Sequence, residues 1–141
     1  MKKLLLFLGL LALAGSGCGY TDIVSTKEFK SLERRCVHVE PIQSENPYVG
    51  QVLRDVLQKE LIRAKVELCD PNTATVLITG SAFMTVRSTS DVANQSIESV
   101  SLMARDQAGR VLLTASYDNR KQYTASKLAK EFGQAVAGKL R

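Results

Sequence analysis

Apolar residues Val49, Val52, Leu53, Val56, Leu57, Leu61 and Ala64 recur at three- and four-residue spacing, with Arg54, Asp55, Gln58, Lys59 and Arg63 on the opposite side. That period predicts one amphipathic helix. Its start is marked by Asn46, a natural N-cap, and by Pro47, which suits the first helical position. Ahead of it, Cys36 to Glu40 alternates, with Val37 and Val39 on one face and Cys36, His38 and Glu40 on the other. This predicts a half-buried strand that Pro41 ends. Behind the helix, Val66 to Cys69 reads as a short strand closed by Asp70-Pro71-Asn72. A strand, helix and strand over this length imply a crossover and a parallel pair.

The second half alternates over longer runs. Thr75 to Arg87 predicts a long strand, with Val76, Ile78, Gly80, Ala82, Met84 and Val86 inward. Thr75, Thr79, Ser81, Thr85 and Arg87 face outward, interrupted by Leu77 and Phe83, and Gly80 in mid-strand signals a bulge or a close backbone approach. Ser88 to Asn94 reads as a polar connection. Gln95 to Arg105 and Arg110 to Tyr117 form a hairpin around Asp106-Gln107-Ala108-Gly109. The first places Val100, Leu102 and Ala104 inward, the second Val111, Leu113, Ala115 and Tyr117. A last helix, capped by Thr124 or Ser126, carries Leu128, Phe132, Ala135, Val136 and Leu140 as its apolar stripe. One arrangement satisfies these patterns together: an α+β domain with a single mixed sheet of about four to five strands and two helices packed on one face. The opposite face is then left to solvent or to a partner.

The N-terminus carries an address. Lys2 and Lys3 precede an apolar run from Leu4 to Ala14, then the small residues Gly15-Ser16-Gly17 and Cys18. The apolar run is shorter than the ~20 residues a membrane span needs, and the order is that of a secretory signal peptide. A cysteine directly after the small residues resembles the lipobox of bacterial lipoproteins, with Gly15 where that motif commonly has leucine. The resemblance implies covalent lipid, palmitate included, on Cys18. The expected organisation is a lipoprotein signal peptide over 1–17, a lipid-anchored tether over 18–34 with a short helical turn near Lys27 to Leu32, and one α+β domain over 35–141. The chain carries a formal net charge of +5, and losing Lys2 and Lys3 with the signal leaves about +3. Interspersed charge of this size does not read as nucleic-acid binding.

Candidate chemistry is sparse. There is one histidine, His38, and there are two cysteines beyond Cys18, with no CxxC pair, so a zinc or catalytic-cysteine site lacks its ligands and no metal or other cofactor is expected. Cys36 and Cys69 face the same way on neighbouring strands in an oxidising compartment. Their places at opposite ends of those strands could separate them by ~10 Å, so a disulfide and two free thiols both stand. His38 and Glu40 share a strand face, but no GxSxG-type elbow or glycine-rich phosphate loop accompanies them, and catalysis is not expected. On the open face, Ser81, Thr85, Arg87 and Arg105 form a candidate partner-facing surface for phosphates, sugars or protein, or else a solvated face.

Three stretches resemble the LptE family of lipopolysaccharide-assembly lipoproteins: Cys18-Gly19-Tyr20, the strand Val37 to Ile42 leading into Gly50-Gln51-Val52-Leu53, and Val76-Leu77-Ile78-Thr79-Gly80-Ser81. The resemblance implies an outer-membrane lipoprotein facing the periplasm and acting with a β-barrel partner, LptD in that family, in lipopolysaccharide transport. Gly19 after Cys18 is consistent with outer-membrane sorting. No lipopolysaccharide-contacting residue carries over. The strand–helix–strand start is also similar to CsgG-like secretion lipoproteins and to periplasmic activators of cell-wall synthases, which bind an envelope protein instead.

Overall fold

The computed structural model describes residues 20–89 and 92–141, with side chains for 21–85 and 96–141. The signal segment and Cys18 lie outside them. The element order is β1 (Tyr20–Ser25), α1 (Lys27–Lys30), β2 (Cys36–Val39), β3 (Gln43–Ser44), α2 (Pro47–Arg63), β4 (Glu67–Leu68), β5 (Val76–Thr89), β6 (Val92–Arg105), β7 (Val111–Asp118) and α3 (Ala125–Leu140). The fold is α+β with one mixed sheet, as the alternation implied. The sheet has seven strands rather than four or five, in the order β1-β7-β6-β5-β2-β4 with β3 beside β5, and three helices rather than two.

The strand–helix–strand start behaves as its pattern requires. The Asn46 side chain accepts from the Tyr48 backbone N–H at 3.1 Å, and Pro47 opens α2. This satisfies a donor left free at every helix start. After α2 the chain returns as β4, parallel to β2, and β5 then lies parallel to β2 on its other side. Leu53, Leu57 and Leu61 of α2 join Leu128, Phe132, Val136 and Leu140 of α3 over the inward residues of β5, β6 and β7 in one buried cluster. At the sheet's centre Gly80 is needed for space. A Cβ there would fall 2.4 Å from a Leu102 methyl and 2.9 Å from the Ser101 carbonyl oxygen.

Three expectations are corrected by pairing across the sheet. The stretch expected to be a tether carries β1, an antiparallel edge strand against β7; the helical turn expected near Lys27 is α1, and its Phe29 enters the core. The alternation of β1 is only six residues long, too short to stand out without its neighbour. The connection expected over Ser88 to Asn94 is instead strand on both sides: pairing continues through Ser88↔Ala93 to Thr89↔Val92. A register shift opposite Phe83/Met84 leaves Glu98 without a partner in β5, so Ile97 turns into the core and Glu98 out. A second shift opposite Ala104/Arg105 puts Leu112 inside at 1% exposure and leaves Val111, expected inside, at 39%.

Candidate functional site

The helices cover one face of the sheet, and among the described residues no element covers the other. That open face holds a shallow depression of about 900 Å³ across β7, β6 and β5. Its floor is made of alternate residues pointing away from the core: Thr79 and Ser81 of β5, Ser101 and Met103 of β6, Thr114 and Ser116 of β7. Antiparallel register brings these side chains together, since Thr79 lies opposite Met103 and Ser81 opposite Ser101. On the far side of β6, Ser101 is opposite Ser116. Asp22 of β1 and Glu40 beyond β2 stand on the two flanks, and Arg105 is the basic residue in the lining.

Of the four residues expected on this surface, the structure brings together two, Ser81 and Arg105. The Arg105 guanidinium Nε sits 3.1 Å from the Met103 sulfur. Thr85 lies further along β5, where its hydroxyl meets that of Ser96 at 3.3 Å in a separate pocket of about 310 Å³. Arg87 is paired through its backbone with Asn94, and its side chain lies outside the described residues. Asp22 is the residue that sequence reasoning missed. It belongs to the stretch taken as a tether, and only the pairing Asp22↔Ser116 places it here. No local signal marks it, because the alternation of Thr21 and Ile23 with Asp22 and Val24 is too short to announce a strand without β7.

The lining changes what this face can hold. Two carboxylates against one guanidinium disfavour a phosphate-bearing ligand, because like charges repel across a shallow site. Serine and threonine hydroxyls both donate and accept, so the floor suits neutral polar groups such as a protein's amides and hydroxyls.

The remaining candidate chemistry is structural in its surroundings. Cys36 and Cys69 are joined by a disulfide with 5.7 Å between their Cα atoms. The strand ends overstate the separation because the register sets Cys36 opposite Glu67, only two positions from Cys69. The ladder continues past β4, with the Cys69 N–H donating to the Val37 carbonyl at 2.9 Å. Glu67 lies beside the two sulfurs, but the disulfide removes both thiolates as metal ligands, and Glu67 is engaged by Arg34. The hydrogen bond from Arg34 holds the Glu67 carboxyl below the usual carboxylate range. The His38 ring places Nδ1 3.0 Å from the Cys69 carbonyl oxygen and Nε2 3.8 Å from a Glu40 carboxylate oxygen. A carbonyl and a carboxylate orient an imidazole but supply it with no nucleophile.

No protein-family description matches this chain, and neither does any curated protein. Solved structures do share the fold. The PelC dodecamer from Paraburkholderia phytofirmans superposes with a TM-score of 0.62 at 17% identity, over 86% of this chain and 96% of that one. A DUF4136 family protein from Bacteroides thetaiotaomicron superposes with a TM-score of 0.58 at 10% identity, over 86% and 97%. At these identities the chain is similar to both in fold, and the likeness extends over nearly the whole of each.

Proposed function

We propose that this protein is a lipid-anchored component of the bacterial outer membrane that works by binding and assembly rather than by catalysis, with Cys18 as the anchor and the open sheet face as a contact surface. The observation that carries the reading is the uncovered, hydroxyl-floored depression on the sheet face opposite the helices. The polar lining of that depression favours a protein partner over a lipid phosphate. In the LptE-like form of this reading, the partner is an outer-membrane β-barrel whose polar lumen meets the polar face during lipopolysaccharide assembly.

A second form is favoured by a specific observation: PelC, which has the same fold, is a dodecamer. In this form, closer to the secretion-type lipoproteins, copies of the chain assemble with one another.

Affinity purification of the acylated protein from membranes, followed by native mass spectrometry, separates the two forms. A one-to-one complex with a large barrel supports the first, and a homo-oligomer the second. A monomer that retains no envelope protein overturns the reading. Cys18→Ser is expected to release the protein from membranes and abolish incorporation of labelled fatty acid; a variant that still incorporates it refutes the anchor.

A further inference from the structure

Edge strand β1 has a consequence for how the chain meets other chains. The Thr26 N–H donates to the Leu112 carbonyl at 2.9 Å, in register with the β1–β7 ladder. In an antiparallel pair, hydrogen-bonded and non-hydrogen-bonded positions alternate. The backbone groups of Asp22 and Val24 therefore point to β7, and those of Thr21, Ile23 and Ser25 point away from the sheet. Among the described residues no strand pairs with that outer edge.

Beside the edge runs a groove of about 590 Å³, walled by Thr21, Asp22 and Ile23 on one side and by Gln134, Ala135 and Gly138 of α3 on the other. Gly138 sits inside a helix, where glycine costs about 1 kcal/mol relative to alanine. The other glycine of α3, Gly133, has a reason within the chain: Glu60 packs 3.3 Å from where its Cβ would be. Around Gly138 nothing lies within 4 Å of that position, so no contact within the described chain requires it to be small.

The opposite feature is the far end of the β5–β6 hairpin. Met84 and Ile97 are buried in the core and the Ile97 carbonyl accepts from the Asn119 side chain, but beyond them the ribbon of 85–89 against 92–96 pairs with no third strand among the described residues. A two-stranded ribbon standing alone is marginal in water. Each of its strands offers five residues, enough to span the outward positions Thr21, Ile23 and Ser25 of β1.

We propose that the β5–β6 arm of one copy adds as a strand to the outer edge of β1 in a second copy, lying in the groove between β1 and α3. Strand addition of this kind takes its affinity from main-chain hydrogen bonds, and a small residue on the flanking helix lets the incoming backbone approach. The contact is head-to-tail, one surface meeting a different one, so repetition generates a ring or a filament. The inference rests on the self-assembling form of the function proposed above.

The test uses full-length acylated protein in detergent micelles, with mass read by light scattering across a dilution series. Thr21→Pro removes an outward N–H while sparing the bond to β7, as edge prolines do. Gly138→Arg fills the groove without touching the sheet. Replacing residues 88–93 by an Asn-Gly turn shortens the arm. Wild type is expected to be oligomeric, and each variant to raise the dissociation concentration at least about tenfold while keeping the wild-type circular dichroism spectrum. If Thr21→Pro fails to fold, Gly138→Arg and the shortened arm still decide. Oligomers unaffected by both overturn this interface and leave the assembly reading intact. A monomeric wild type overturns both the interface and the self-assembling form, whatever barrel it retains.

Discussion

Strand β5 shows two surfaces built from one stretch of chain. Val76, Ile78, Ala82 and Met84 are each at most 6% exposed, whereas Thr79, Ser81 and Phe83 between them are open, Phe83 at 58%. The inner residues touch helices and sheet on every side, and removing apolar surface from water is the main source of folding stability. The outer residues lean on little within the chain. Stability is thus concentrated on one face of the sheet, and the opposite face is free to vary with a partner. Substitutions on the two faces should separate these roles.

The largest effect is expected from Ile78→Ala, which should cost about 2 to 5 kcal/mol through lost burial and the cavity left behind. Urea denaturation measures it, and a loss under about 1 kcal/mol would mean the inner face is not the stabilising one. The disulfide comes next. Replacing Cys36 and Cys69 together by alanine opens a link across 33 residues of sequence and should cost roughly 2 to 4 kcal/mol, with addition of reductant to wild type moving the midpoint the same way.

A smaller effect is expected from acid, and it acts at the rim of the domain rather than on either face. The Arg34 hydrogen bond lowers Glu67, and the Arg110 backbone N–H lowers Asp106 in its turn. A carboxyl lowered by folding adds stability while it is ionised, and that contribution disappears as pH falls through its folded value. Stability should therefore be level between about pH 7 and 5 and decline below about pH 4. Urea midpoints that rise on acidification to pH 3 would contradict this. The smallest effect on folding is expected on the open face. Ser81→Lys with Arg105→Glu should change stability by no more than about 0.5 kcal/mol, yet abolish recovery of whatever partner the wild-type protein retains from membranes. A double variant that binds as before would remove this face from the function.

Local signals carried α2 almost to the residue. Asn46 and Pro47 mark its start by capping chemistry confined to neighbours, and 17 residues keep one helical period. The inner face of β5 was equally legible, because alternation over a long strand survives one glycine. Other features had no local mark. β1 is six residues whose identity as a strand depends on β7, more than 80 positions away. The shift that turns Leu112 inward is set by how β7 meets β6, and no property of Val111 or Leu112 announces it.

The same division runs through the candidate site. Ser81 and Arg105 could be picked out because each occupies an outward position in its own strand. Asp22 could not, nor could the closeness of Cys36 to Cys69, since both depend on register between strands far apart in sequence. The periodicity of apolar residues specified which elements form and which side of each is buried, because burial repeats with the geometry of a single helix or strand. Which strands lie together, where the sheet ends and what remains uncovered were settled by packing and pairing between distant segments. The free edge of β1, the depression beside it and the unsupported arm all arise at that second level.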